Sequence, residues 1–294
     1  MGGGGLLPHR HVPKITGQYG FGKERFSTGG REIPKNPVGR ICPGKTQPNE
    51  IILIFFAFDA MKPKNCTVFF PLFNEADIVG ENTQRLLAFL DEQNIHCEVI
   101  LGSNGSTDST SDIIQKMASE SEKIKAFHLP QKGPGRAFVH GIRMASNEFF
   151  ISQDIDLAVE LEFIPLALKL LDFSDMVIGC KRMRFQRRSL LRKLGSDFFI
   201  FMASAVLGTG VADFSIGAKA YRRSFVLKHA TYLDPETAYV LELVYYAALA
   251  GQRIIELPVE CNDSRPSHFN LLAETGHKFG HLFRFSWRHK RMGR

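Results

Sequence analysis

From residue 66 to residue 259 the chain alternates between short apolar runs and longer amphipathic stretches, separated by polar loops that carry glycine. Residues 66–73 (CTVFFPLF) read as a buried strand, followed by Asn74, Glu75 and a helix over 76–93. Ile78, Leu86, Leu87 and Leu90 fall on one face of that helix. Residues 98–101 form a second strand that ends in the polar turn 102–108, and a helix then runs to residue 120. A third strand over 124–129 leads through the loop 131–136 (QKGPGR) into a helix over 137–145. Residues 148–152 are a fourth, apolar and aromatic strand that runs into Gln153–Asp154–Ile155–Asp156. Beyond it the pattern predicts a strand over 175–179, a basic stretch 180–193, an apolar helix over 198–207, and a loop and strand over 213–221. A helix over 236–250 and a strand over 253–259 follow, with Pro258 marking that strand's end or a sheet edge. Strand–helix alternation of this kind implies an α/β fold with a mostly parallel sheet flanked by helices. In such sheets the ligand crevice lies at the carboxyl ends of the strands, so the three polar loops and the Asp-x-Asp segment share one rim.

The two carboxylates carry the chemistry of that rim. Residues two apart in an extended chain point the same way, so Asp154 and Asp156 face the crevice while Ile155 turns into the protein. Like charges on one face need a positive partner, and a hard divalent cation serves, with water and substrate phosphates completing its shell. The other reading is that Asp156 caps a helix starting near residue 161 and Asp154 is solvated. The basic stretch 180–193 is equally a solvated helix face or a source of phosphate-binding arginines.

The ends of the chain behave differently. Residues 1–50 are rich in Gly and Pro without periodicity, and organised sequence begins near Met61. Residues 1–60 are therefore expected to be a poorly structured extension, 61–270 one domain, and 271–294 a basic, aromatic tail. Residues 39–46 (GRICPGKT) match the letters of a phosphate-binding P-loop, but no predicted strand precedes them and Pro48 breaks the helix that should follow. Of 294 residues, 44% are hydrophobic and 23% charged, as in an ordinary globular protein. The net charge is +7, and residues 1–60 hold eight Lys/Arg against four Asp/Glu, so the basic excess sits towards the two ends. Five scattered cysteines without a Cys-x-x-Cys pair argue against a disulfide framework or a structural zinc site and for a reducing compartment. No apolar run is long enough to span a bilayer. Nucleic acid is not an expected partner, since a basic face with stacking aromatics occurs only in the tail. There, residues 277–294 interleave six Lys/Arg with Phe279, Leu282, Phe283, Phe285 and Trp287. That pattern suits an anionic membrane surface, or packing of the aromatics on the domain.

Pro71-Leu72-Phe73-Asn74-Glu75, the Gly-Ser-Thr-Asp of 105–108, Gly133-Pro134-Gly135 and Asp154-Ile155-Asp156 resemble, in that order, the motifs of family 2 glycosyltransferases. Later segments (VIGCKR, DFSIGAKAYRR and AGQRIIELPVECNDSRPS) resemble the dolichyl-phosphate mannose synthase branch, so the likeness covers residues 66–270. It implies a single catalytic domain of the Rossmann-like GT-A fold, a nucleoside diphosphate sugar donor, Mg2+ or Mn2+, and a polyprenyl (dolichyl) phosphate acceptor. It also implies a cytoplasmic protein, peripheral at the cytoplasmic membrane face. Carried onto this chain, the donor is bordered by Pro71, Phe73, Asn74, Glu75, Ser103, Asn104, Gly105, Gly133, Gly135, Arg136 and Asp154. Asp154 and Asp156 hold the metal and, with Asp213, make up the catalytic set. Arg182, Arg192, Lys219 and Arg265 stand where the family binds donor and acceptor phosphates. Two departures matter: Ser103-Asn104 replaces the usual Asp-Asp, and Ala158 stands where the branch often has a Gln that helps hold metal. The Asn104 amide can still accept from and donate to a base, and glycines 133 and 135 let the backbone approach the donor. The expected reaction is an inverting transfer of a hexose. A phosphate acceptor needs no base. A hydroxyl acceptor would need one, for which Asp213 is the candidate. A non-catalytic nucleotide-sugar binder is the further alternative.

Overall fold

The computed structural model describes residues 38–40, 64–181, 202–203, 210–214, 216–262, 280 and 282. Its strands are β1 (Val38–Arg40), β2 (Cys66–Leu72), β3 (Cys97–Asn104), β4 (Ile124–Leu129), β5 (Phe149–Ser152), β6 (Met176–Cys180), β7 (Lys219–Arg222) and β8 (Ile254–Pro258). The helices are α1 (Val79–Glu92), α2 (Thr110–Glu120), α3 (Pro134–Met144), α4 (Phe163–Leu170), α5 (Arg223–His229) and α6 (Tyr239–Leu249).

All eight strands join one sheet in the order β1-β8-β6-β7-β5-β2-β3-β4. The near-continuous apolar runs of β2 and β6 are buried along their length, as strands with covered faces on both sides must be. α1 turns Leu86 and Leu90 fully inward and leaves Ile78 and Leu87 partly covered, so the predicted face is the packed one. A chain of rings ties sheet to helices: Phe69 stacks on Phe150 at 5.7 Å, Phe138 meets Phe150 edge-on at 5.7 Å, and Phe138 stacks on Tyr239 at 4.6 Å. Each buried ring contributes about 2–3 kcal/mol through area alone, with roughly 1 kcal/mol more per ring pair.

Within the sheet β7 runs antiparallel to both neighbours, β5 and β6, while every other pair is parallel. Lys219, the first residue of β7, lies opposite Ser152, the last of β5. Reversal of this one strand therefore brings the segment before it to the carboxyl rim where β5 ends. The short helix α5, which directly follows β7, carried no separate signal in the sequence. The absence of structure expected ahead of residue 61 does not hold for Val38–Arg40, which pair in parallel with residues 254–256 and extend the sheet by one edge strand. Leu282 is buried in the core at 1% exposure, which agrees with packing of this part of the tail on the domain, the second of the two readings.

Candidate functional site

The rim is built from loops at the ends of β2, β3, β4 and β5. β2 neighbours both β3 and β5, so the chain's path reverses direction across the sheet beside it, where α/β sheets open a crevice. The first two loops hold each other. Asn74 adopts φ +56°, a left-handed conformation that Asn tolerates better than most residues, and its Oδ1 accepts the Thr107 N–H at 2.8 Å. The amides of Asn74, Glu75 and Ala76 donate to Ser106 Oγ (3.1 Å), Thr110 Oγ1 (2.9 Å) and Asp108 Oδ2 (3.2 Å). Burial works to raise the Asp108 carboxyl, but the Thr110 hydroxyl and amide outweigh it and hold the group below the ordinary aspartate value. The Asn-Glu of 74–75 and the Gly-Ser-Thr-Asp of 105–108 are thus one hydrogen-bonded unit. Phe73 beside them carries the Lys132 ammonium 3.7 Å from its ring centroid.

Ser103 and Asn104 lie inside this unit. Ser103 is fully buried, with Oγ 3.0 Å from His128 Nδ1 on the neighbouring strand. Asn104, 3% exposed, donates from Nδ2 to the Leu72 carbonyl at 2.7 Å and accepts the Gly133 N–H on Oδ1 at 3.1 Å. Both were expected to border a nucleobase. The structure commits the Asn104 amide to backbone instead, because its neighbours at the ends of β2 and β4 supply one acceptor and one donor within reach.

Glycines 133 and 135 lie against a loop formed by residues 234–236. A Cβ on Gly135 would lie 2.0 Å from the Asp234 carbonyl oxygen and 2.7 Å from that of Glu236. The space that the missing side chain leaves is filled by this second loop. The Arg136 amide donates to the Pro235 carbonyl at 2.9 Å, and Arg136 Nη2 pairs with Glu236 Oε1 at 3.0 Å. Asp234 shapes the loop by accepting the amides of Glu236 (3.2 Å) and Ala238 (2.9 Å), while its own N–H donates to the buried Glu242 carboxylate. Sequence reading had placed nothing here but the start of a helix. The Asp-Pro-Glu before it, a turn-forming triplet, was the available signal.

β5 ends at Ser152, and Asp154 to Leu157 form a turn in place of the extended chain expected, with the Leu157 amide on the Asp154 carbonyl at 3.2 Å. Leu157 takes φ +50°, a conformation that costs a non-glycine residue about 1 kcal/mol or more and tends to collect at functional sites. The two side chains still separate from Ile155 as expected: Asp154 is exposed, Asp156 half-buried, and Ile155 only 2% exposed. Asp156 Oδ1 accepts the Ala158 N–H at 3.0 Å, so it caps its own turn and not the helix at Phe163. The Asp154 carboxylate rests against Gly217, where a Cβ would fall 2.1 Å from Oδ2. Asp154 also acts on Tyr239, whose phenol is pushed well above the ordinary tyrosine range by burial and then by the charge of Asp154. Gly217 and Tyr239 were missed because neither is near Asp154 in sequence.

The remaining expected residues fall in three groups. Pro71 and Gly105 frame the first two loops, with Gly105 at φ +72° and its amide on the Leu129 carbonyl at 2.8 Å. Asp213 and Lys219 are buried at 2% and 3% exposure. The amides of Ala212 and Asp213 donate to Glu256 Oε1 (2.6 and 3.3 Å), and Lys219 Nζ donates to the Ile216 carbonyl. Arg182, Arg192 and Arg265 lie outside the described residues. The described chain reaches Asn262, whose amide meets the Ala158 carbonyl at 2.8 Å.

The donor set suits a hard divalent ion. Two carboxylates leave one turn, one exposed and one half-buried, and among the described residues no cluster of three His, Cys, Asp or Glu forms. A site of this kind is one that water and substrate phosphates complete, as Mg2+ or Mn2+ sites commonly are.

A largely parallel α/β sheet with this acid turn at its carboxyl rim defines a GT-A-like domain, the fold of the enzymes it superposes on. Glucosyl-3-phosphoglycerate synthase from Mycobacterium tuberculosis, in complex with Mn2+ and UDP-glucose, matches with a TM-score of 0.56 at 19% identity over 87% of each chain. Residues 67–229 match the model of Glycosyl transferase family 2, and the chain belongs to that family. Among curated relatives, an undecaprenyl-phosphate 4-deoxy-4-formamido-L-arabinose transferase of Salmonella paratyphi A is 26% identical over 73% of this chain and 66% of its own length. Its counterpart from Pectobacterium carotovorum is 30% identical over 55% of this chain and 50% of its own. The chain thus matches one half to two thirds of the length of these relatives.

Proposed function

We propose that this protein transfers a hexose, with inversion, from a nucleoside diphosphate sugar to a polyprenyl phosphate at a membrane surface, with Mg2+ or Mn2+ bound by Asp154 and Asp156. The observation that carries the reading is the acid turn 154–157 that follows β5 at the sheet's carboxyl rim, with the Asp154 carboxylate resting on Gly217. Family membership and the curated relatives, both named as undecaprenyl-phosphate sugar transferases, support the acceptor class. A polyprenyl phosphate is the chemistry shared by the bacterial relatives and the dolichyl-phosphate branch that the sequence resembles.

In this reaction an acceptor phosphate oxygen attacks the anomeric carbon while the bond from that carbon to the donor diphosphate breaks, and a nucleoside diphosphate leaves. The acceptor oxygen is already anionic, so no residue has to take a proton from it. The divalent ion, when bound, supplies positive charge against the departing diphosphate. The chain's own contribution is placement. The unit of residues 74–76 and 105–110 shapes one wall of the cleft, residues 131–136 and 234–236 the other, and Arg265 follows the segment that meets Ala158. Tyr239, kept protonated, has a hydroxyl to donate beside Asp154.

The test is transfer of radiolabelled sugar from UDP- and GDP-hexoses to undecaprenyl and dolichyl phosphate, with Mn2+, Mg2+ or EDTA. Metal-dependent lipid-linked product is expected, reduced about a hundredfold in Asp154→Asn and Asp156→Asn, since one well-placed charge-stabilising group is worth roughly 3–4 kcal/mol. Full activity in both variants would remove the acid turn from the mechanism.

A further inference from the structure

Asn104 spends both ends of its side chain on backbone of two different loops, and its chemistry there is narrowly set. The Gly133 N–H can only donate and the Leu72 carbonyl can only accept, so the group between them must accept at one atom and donate at the other, as a neutral amide does. Only 3% of the residue is exposed. Gly133 immediately precedes α3, whose first turn lies against residues 234–236, and that loop leads to Tyr239 beside Asp154. One side chain therefore joins the end of β2 to the wall of the cleft that β2 and β3 do not themselves form.

We infer that Asn104 is a positioning residue that clasps the 131–136 loop to the end of β2, and that only a neutral amide performs this. An aspartate, which family 2 usually carries at this place, would set a carboxylate oxygen against the Leu72 carbonyl and loosen the loop, not restore a base-reading group. A buried polar group deprived of its partner is costly enough to open a loop locally without unfolding a domain. The consequence for nucleotide binding rests on the proposed function, while the clasp itself does not.

The experiment follows hydrogen exchange in wild type, Asn104→Asp and Asn104→Leu. Exchange across residues 131–136 is expected to rise at least tenfold in both variants, with β2 and β3 unchanged. In wild type, the Asn104 side-chain NH2 is expected to exchange slowly by NMR, a readout that needs no variant to fold. Binding of UDP and GDP with Mn2+ is measured alongside, and whichever binds wild type is expected to weaken at least tenfold in both variants. Wild-type exchange at 131–136 in Asn104→Asp, or a freely exchanging Asn104 amide, would overturn the clasp. If neither nucleotide binds wild type, the functional reading fails while the exchange data still decide the clasp.

Discussion

Asp154 occupies a space that a single methyl group on Gly217 would fill, since the Cβ of any other residue there would lie 2.1–2.4 Å from three atoms of the carboxyl group. The contact makes Gly217 a determinant of the acid's position although it has no side chain of its own. Gly217→Ala should therefore lower transfer to near the level of Asp154→Asn and raise the Mn2+ concentration needed for half-maximal rate. Urea denaturation should show little loss of stability, because the clash falls on the end of an exposed side chain that can move aside. Wild-type metal dependence in that variant would show that the carboxylate can move without consequence. Asp156 is differently placed: its Oδ1 is held by the Ala158 amide, and Asn would keep that bond.

At the scale of elements, the Glu98 carboxylate on β3 ties the sheet to the end of α3. It accepts from Thr67 Oγ1 on β2 and from the Ser146 amide, and pairs with Lys125 Nζ on β4 at 2.7 Å. Burial alone would raise its pKa, but the Lys125, Thr67 and Ser146 hydrogen bonds prevail and leave it below 4.5. A carboxyl depressed on folding contributes stability that is fully present above its unfolded pKa and is lost as pH falls through the folded value. Melting temperature should thus drop as pH falls below 4.5, and Glu98→Gln should flatten that limb while lowering stability at pH 7; an unchanged acid limb would deny the carboxylate this role. β1 supports a second prediction. Its three residues pair with β8, so deleting residues 1–60 strips the sheet edge. Lost edge pairing worth about 2 kcal/mol corresponds to a fall of roughly 4–8 °C in melting temperature. An unshifted melting curve would mean that β1 adds nothing to stability.

For the molecule as a whole, the lipid-linked acceptor proposed above calls for contact with a membrane surface. Among the described residues no helix is long and apolar enough to cross a membrane. Leu282 is packed in the core, which anchors that point of the tail to the domain, and the sequence after it carries Phe285, Trp287 and the cations of 284–294. Each cation near an anionic surface is worth about 1 kcal/mol. Flotation should therefore be strong with phosphatidylglycerol vesicles at low salt, weak at 0.5 M salt, and lost when residues 284–294 are removed. Equal flotation with neutral and anionic vesicles would assign the tail a purely structural role.

Local pattern determined a large part of this protein. The apolar runs of β2 to β6 and β8, the amphipathic face of α1, and the separation of Ile155 from its two acidic neighbours all follow from short-range alternation of residue types. Alternating strands and helices also place four loops on one rim without knowledge of any contact. Partners distant in sequence were decided only by the fold. The reversal of β7 sets Gly217 under Asp154, β1 finds its place against a strand more than two hundred residues later, and residues 234–236 fill the space left open at Gly135. Asn104 states the difference most plainly. Its residue type announces a donor and an acceptor, but whether these meet a ligand or the backbone depends on which groups packing brings within 3 Å, and that is a property of the tertiary structure alone.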